Sequence, residues 1–265
     1  MLCISPLSLP RPNGKGNQDR ITVPCGKCPA CLTNRRNDWA VRLKIEHKHA
    51  TSSYFITLTY DENNIRYNEF VDLSTGEIRY QPTVIKSDLQ KFIKRIRKYS
   101  ECRYYAVGEY GTHTKRPHYH LLLFNYDVGE LYRLQSSWPF GFIQIGTISD
   151  NSIMYVCKYH VNRTDYPEHA NPSFALMSRR PGIGAIYGNK MFEFHDGYDK
   201  NYYPDHGGVK RRLPRYLRDK IYSKESIENL TTYFTGVEYD VKEYDEQRLE
   251  LIRRFQEKNN KKYKL

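Results

Sequence analysis

The chain is 265 residues long and carries 42 Lys+Arg against 30 Asp+Glu, a formal charge of +12. That length holds one elaborated domain or two small ones. No apolar run approaches the roughly 20 residues of a bilayer span, and 39% hydrophobic residues with 24 Tyr argue against wholesale disorder. The basic charge is clustered: +6 over residues 1–50, +5 over 86–99 and +6 over 208–224, leaving −5 elsewhere. Such clustering is the footprint of a polyanionic partner, nucleic acid above all. The start, Met1 to Leu7, lacks a charged n-region and is interrupted by Pro6, so no secretory leader is expected and the six cysteines read as reduced.

In chain order, residues 1–31 read as an irregular arm and Asn34 to about Ala50 as a helix. Tyr54–Tyr60 is a β-branched and aromatic strand, and 67–81 an inserted hairpin around Ser74-Thr75-Gly76-Glu77. Ser87 and Gln90 form a capping box that starts a helix with Leu89, Phe92, Ile93 and Ile96 as its apolar stripe. Lys91, Lys94, Arg95 and Lys98 repeat that spacing on a basic face, either solvated or facing DNA. Two strands, Arg103–Tyr110 and Pro117–Phe124, then a short helix (129–137), a strand (142–148) and a helix (151–162) follow. The order β-α-β-β-α-β predicts an α+β fold of ferredoxin-like topology: an antiparallel sheet with helices on one face and the other face open. Beyond Asn162 the pattern weakens, with helical periodicity returning at Leu249, Ile252 and Phe255.

The chemistry concentrates in Pro117-His118-Tyr119-His120-Leu121. Alternation along a strand puts His118 and His120 on one face and Tyr119, Leu121 and Leu123 on the other. If Arg103–Tyr110 pairs antiparallel with this strand, Glu109 lies beside His118 and completes a two-His, one-carboxylate set for Mn²⁺ or Mg²⁺. His113 is a weaker fourth candidate. On the last helix, Tyr155 and Tyr159 stand i, i+4, with Lys158 flanking them. A tyrosine near a metal-polarised phosphate can attack phosphorus, and a lysine can favour the phenolate or offset phosphate charge. The plainer alternative is a tyrosine pair that packs the helix onto the sheet.

Thr57-Leu58-Thr59-Tyr60, the His-x-His strand and the Tyr-x-x-Lys-Tyr helix, in that order, resemble the three motifs of HUH endonucleases that initiate rolling-circle replication. The two-tyrosine form is similar to the replication initiators of Microviridae phages. Val23-Pro24-Cys25-Gly26-Lys27-Cys28-Pro29-Ala30-Cys31, with Trp39, Arg42 and Ser178–Gly184, resembles the gokushovirus branch. One departure is Tyr119, where the middle residue of the motif is usually aliphatic. The resemblance implies that Tyr155 nicks single-stranded DNA at a phage origin, forming a 5′-phosphotyrosine and leaving a 3′-OH. Tyr159 would take the second cleavage, and the reverse reaction would rejoin the ends. It also implies action in the host cytoplasm, with a host replication helicase as a further partner. Residues 1–50 are then an arm with a Cys cluster and helix, 51–164 the catalytic domain, and 165–265 a basic extension that binds DNA or wraps that domain.

Cys25, Cys28 and Cys31, with Cys3 as a fourth, suit a four-thiolate zinc site, an iron–sulfur cluster or free thiols. Cys102 and Cys157 read as core residues. Lys210, Arg211 and Arg212 join the α-helical lysines as candidate DNA contacts. Two competing functions remain at the level of sequence. A non-catalytic single-stranded nucleic-acid binder would leave His118, His120 and Glu109 without a role. A transposase or relaxase would use the same chemistry, commonly with one tyrosine.

Overall fold

The computed structural model describes residues 3–11, 20–111, 113–158, 166–195 and 200–227, together with 246, 249–250 and 253–254. Tyr159, Ile252 and Phe255 lie outside the described residues. The chain divides into two compact units, residues 1–37 with 222–265, and residues 38–221.

In the first unit, β1 (Leu7–Pro10) pairs antiparallel with β2 (Arg20–Val23), Leu7 opposite Val23. The expected irregular arm therefore contains a two-stranded ladder, held by Arg20, which donates to the Ser8 hydroxyl and carbonyl. Helix α1 (Pro29–His49) starts five residues before the expected Asn34. Proline suits a first helical position, since its missing N–H would have no partner there.

The second unit is built on a five-stranded antiparallel sheet. Its strands are β3 (Ser53–Tyr60), β6 (Arg103–Tyr110), β7 (Pro117–Phe124), β8 (Gly141–Thr147) and β9 (Phe174–Met177), in spatial order β8-β3-β7-β6-β9. A separate hairpin, β4 (Tyr67–Val71) with β5 (Ile78–Pro82), follows β3 as expected. Its turn places Gly76 at φ +73° while Asp72 Oδ1 accepts the Ser74 N–H and hydroxyl. Helix α2 (Lys86–Ile96) leads into β6, α3 (Arg133–Ser137) precedes β8, and α4 (Asp150–Lys158) follows it. β9 is a four-residue strand too short to register as periodicity, yet it extends the sheet along β6. Beyond it come α5 (Ile186–Lys190), the short pair β10 (Tyr202–Pro204) and β11 (Lys210–Arg212), and α6 (Arg215–Ile221).

The α+β class and antiparallel sheet are as expected, but the helices do not lie on one face. Leu89, Phe92, Ile93 and Ile96 of α2, with Leu134 of α3 and Trp138, cover Ile56, Leu58, Tyr119, Leu121 and Leu123. On the opposite face, Ala40 and Leu43 of α1 and Ile153, Val156 and Cys157 of α4 cover Tyr105, Val107, Leu122 and Phe124. Successive side chains of a strand alternate faces, so an apolar run such as Leu121–Phe124 must be covered on both sides. Lys44 of α1 ties this second layer together, reaching Asp150 at the start of α4 (2.7 Å) and Asp205 (3.4 Å).

The expected capping box is absent. α2 begins at Lys86 with Ile85 at the N-cap and no side-chain cap. The Tyr119 hydroxyl fixes that turn instead, accepting the Ile85 N–H at 2.8 Å and lying 3.0 Å from its carbonyl. Tyr119 is fully buried, and its hydroxyl also meets that of Tyr60 (2.7 Å), which donates to Asp88. The unusual aromatic between the two histidines thus pins α2 across the sheet.

Another buried knot holds the Ser178–Gly184 loop. Glu46 on α1 pairs with Arg103 and accepts the Gly184 N–H at 2.7 Å. Arg103 donates to the carbonyls of Pro181 and Gly182, and Arg42, stacked over Trp39 and Tyr216, donates to that of Ile183. The loop motif therefore has a structural anchor.

Candidate metal and tyrosine site

The antiparallel register sets Glu109 of β6 directly opposite His118 of β7. His118 Nε2 stands 2.9 Å and His120 Nε2 2.8 Å from Glu109 Oε1. The Tyr155 hydroxyl, from the middle of α4, donates to the same oxygen at 2.8 Å. α4 reaches that position because Ile153, Val156 and Cys157 are buried in the sheet, which leaves Tyr155 on the helix side facing the histidines. Its ring lies edge-on to His120 with centroids 5.2 Å apart.

The donor set fits a divalent cation. His118 Nδ1 lies 3.0 Å from the Arg116 carbonyl, an acceptor only, so that nitrogen carries the proton. In the neutral ring Nε2 then presents a lone pair to a carboxylate oxygen, an arrangement that requires a positive charge between them. His120 repeats it: Nδ1 meets Thr57 Oγ1 at 3.0 Å, and Nε2 is buried with no hydrogen-bond partner. Glu109 Oε2 is likewise buried and unpartnered. All three ligand atoms lie within 4.8 Å of one another.

Burial works against the Glu109 charge, but His118, His120 and Tyr155 outweigh it and hold the carboxyl down to about 2. Burial and that same carboxylate push the Tyr155 phenol above its ordinary value. Without further positive charge the phenol stays protonated at neutral pH. Lys158 is exposed at the end of α4, and His113 is exposed outside the cluster. Thr57 and the Arg116 carbonyl, which set the histidine tautomers, are not marked for this role by the sequence, although Thr57 lies in the first strand motif.

In the first unit, Cys3, Cys25, Cys28 and Cys31 bring four Sγ atoms within 4.8 Å of one another. Cys3 and Cys28 are 3.8 Å apart, the edge of a tetrahedron with Zn–S bonds of about 2.3 Å. The turn is shaped around sulfur: Lys27 and Cys28 N–H donate to Cys25 Sγ (3.5 and 3.3 Å), and Cys25 N–H to Cys3 Sγ (3.3 Å). Burial opposes ionisation of Cys28, yet the Cys31 and Ile4 N–H groups bring it to about 6, while burial and Cys28 push Cys31 up to about 12. A bound cation would let all four ionise together. Cys102 and Cys157 are buried core residues, as expected.

The basic candidates are not gathered at the histidines. Lys91, Lys94 and Lys98 are exposed on or just beyond α2, on the opposite face of the sheet. Arg95 is half-buried, donating to the Ser137 carbonyl and lying over Phe140. On β11, Arg211 pairs with Asp205, Arg212 with Asp38 at 3.6 Å, and Lys210 lies over Tyr202.

The second unit is thus an antiparallel α+β domain that joins a His-His-Glu cluster to a helix-borne tyrosine. Residues 53–164 match the Replication-associated protein ORF2 family. Replication-associated protein ORF2 of Spiroplasma virus 4 is 29% identical over 223 residues, 74% of this chain and 66% of that protein. Replication-associated protein VP4 of Bdellovibrio phage phiMH2K is 27% identical over 85% of this chain and 75% of its own. Replication-associated protein ORF4 of Chlamydia phage 1 is 25% identical over 83% and 59%. The alignments thus span about two thirds of these relatives' own lengths. The hypothetical protein ORF119 of Sulfolobus islandicus rod-shaped virus 1 aligns with 48% of this chain and 95% of its own, at 21% identity and a TM-score of 0.31. The sequence matches to phage replication-associated proteins bear out the resemblance carried by the motifs. Among the described residues, no helix is long and apolar enough to cross a membrane.

Proposed function

We propose that the protein initiates phage replication by nicking single-stranded DNA through Tyr155. The observation that carries this reading is the Tyr155 hydroxyl on Glu109 Oε1, the oxygen shared with both histidines. Glu109, His118 and His120 would hold Mg²⁺ or Mn²⁺, which polarises the scissile phosphate and draws charge away from Glu109. The Tyr155 oxygen attacks phosphorus, a phosphotyrosine bond forms and the bond from phosphorus to the 3′ oxygen breaks. The net proton movement is from the phenol to the departing 3′ oxygen, with Glu109 facing the phenol as it leaves. The 5′ end stays on Tyr155 and the 3′-OH is free to prime synthesis; attack by that hydroxyl reverses the step and rejoins the strand. Lys158 would offset charge on the phosphate, and Tyr159 would perform the second cleavage.

Residues 51–164 would then carry the chemistry, and the basic side chains of α2 and β11 would hold flanking phosphates without choosing a sequence. The four thiolates would take zinc as a structural ion, in the host cytoplasm where thiols stay reduced. The strand would be presented by a host replication helicase. Incubating the protein with labelled single-stranded origin DNA and Mn²⁺ tests the reading. A band shifted by covalent DNA on a denaturing gel, absent with EDTA or Tyr155→Phe, is expected. A protein that binds the strand and never links to it would be a binder, not a nickase.

A further inference from the structure

The sheet register places four residues in one row across the strands: Glu109, His118, Thr59 and Phe142. The next row is Val107, His120, Thr57 and Gln144. Residues directly opposite one another share a face, so Phe142 and Gln144 stand on the same side as the metal ligands. They lie two strands away, about 10 Å at the usual strand spacing.

Phe142 is 67% exposed on the outermost strand, and Gln144 is exposed beside it. β8, Gly-Phe-Ile-Gln-Ile-Gly-Thr, has no charged side chain to discourage association. Its backbone edge is nevertheless blocked at this point. Gln135 of α3 donates to the Gly141 carbonyl (2.9 Å) and accepts the Ile143 N–H (3.3 Å), taking the bonds an added strand would need. What remains available is the ring of Phe142 and the face in front of it, floored by Thr57 and Thr59.

Resting on the nicking reading above, we infer that Phe142 is a base-stacking platform for a nucleotide next to the scissile phosphate, with Gln144 at that base's edge. The row has the required chemistry in the required order. Metal ligands and Tyr155 sit at one end, where a phosphate would be cut. Neutral hydroxyls follow, then an aromatic ring at a distance that suits a neighbouring base. A base stacks on an aromatic ring whatever its identity, whereas a phosphate would need cations that this row lacks. Phe142 is therefore a positioning residue, and its loss should raise KM more than it lowers kcat.

The test is fluorescence anisotropy with the full chain and a labelled random-sequence single strand of about 30 nucleotides, longer than one such fold usually covers. Phe142→Ala should weaken binding about fivefold or more, the loss of one stack. Phe142→Trp should restore it. The slope of affinity against salt should be the same for all three proteins, since no phosphate contact is removed. Circular dichroism should be unchanged, because the ring is exposed. If the wild type binds and Phe142→Ala binds as tightly, the platform is wrong and the nicking reading stands. If the wild type itself does not bind the strand, both fall.

Discussion

The Tyr155 hydroxyl and Glu109 Oε1 are 2.8 Å apart, and the phenol donates to an oxygen that already faces two imidazole nitrogens. The bond joins a candidate nucleophile on a helix to a carboxylate on the central sheet. It also restrains the nucleophile, because the carboxylate's charge raises the energy of the phenolate. A cation drawing on the same carboxylate relieves that penalty, which couples metal binding to activation of the tyrosine.

Metal affinity should depend on Thr57, a residue with no ligand role of its own. Its hydroxyl fixes His120 Nδ1 at 3.0 Å and so directs Nε2 towards Glu109. Thr57→Val should weaken Mn²⁺ binding about tenfold to a hundredfold, the usual cost of losing a partner that orients a ligand. Thr57→Ser should keep it. Calorimetric titration with Mn²⁺ reads the difference, and equal affinity in Thr57→Val would remove His120 orientation from the account.

The cysteine cluster should retain about one equivalent of zinc through purification, measured by elemental analysis. Cys28→Ser should lose that zinc and lower the melting temperature, while Mn²⁺ binding at Glu109 persists. Iron in place of zinc, or a metal-free wild type whose melting temperature ignores chelators, would refute the assignment.

Asp205 should make stability sensitive to acid. Its side chain is buried, which opposes ionisation, but Arg211, the His206 N–H and Lys44 outweigh burial and lower its pKa. A carboxyl lowered in the folded state adds stability that is complete above its unfolded pKa of about 3.9. That contribution is lost as pH falls through the lower folded value. Asp205→Asn should therefore cost about 2 kcal/mol at pH 7, the scale of hydrogen bonds to a charged group. The deficit against the wild type should shrink below about pH 4. Urea denaturation across pH measures both, and a deficit independent of pH would show that its charge is not what matters.

Strands β6 and β7 are legible to the residue, since their β-rich runs are bounded by Gly111–Arg116. The Glu109–His118 pairing follows from that hairpin. The second helical layer is harder to see, although Leu121-Leu122-Leu123-Phe124 carries the signal of a strand covered on both faces. The start of α2 escapes a local reading because a distant hydroxyl, that of Tyr119, takes the place of a local cap. Phe142 and Gln135 acquire their meaning only through cross-strand register and a helix-to-edge contact, neither of which a linear pattern contains.

The attachment site of the DNA tests the central claim most directly. Trypsin cuts after Lys158 and so separates Tyr155, within residues 134–158, from Tyr159, within residues 159–163. After a single Mn²⁺-dependent cleavage of labelled single-stranded origin DNA, nuclease trimming and mass spectrometry should find the nucleotide remnant on residues 134–158. A remnant confined to residues 159–163, or found on neither peptide while cleavage proceeds, would contradict Tyr155 as the nucleophile.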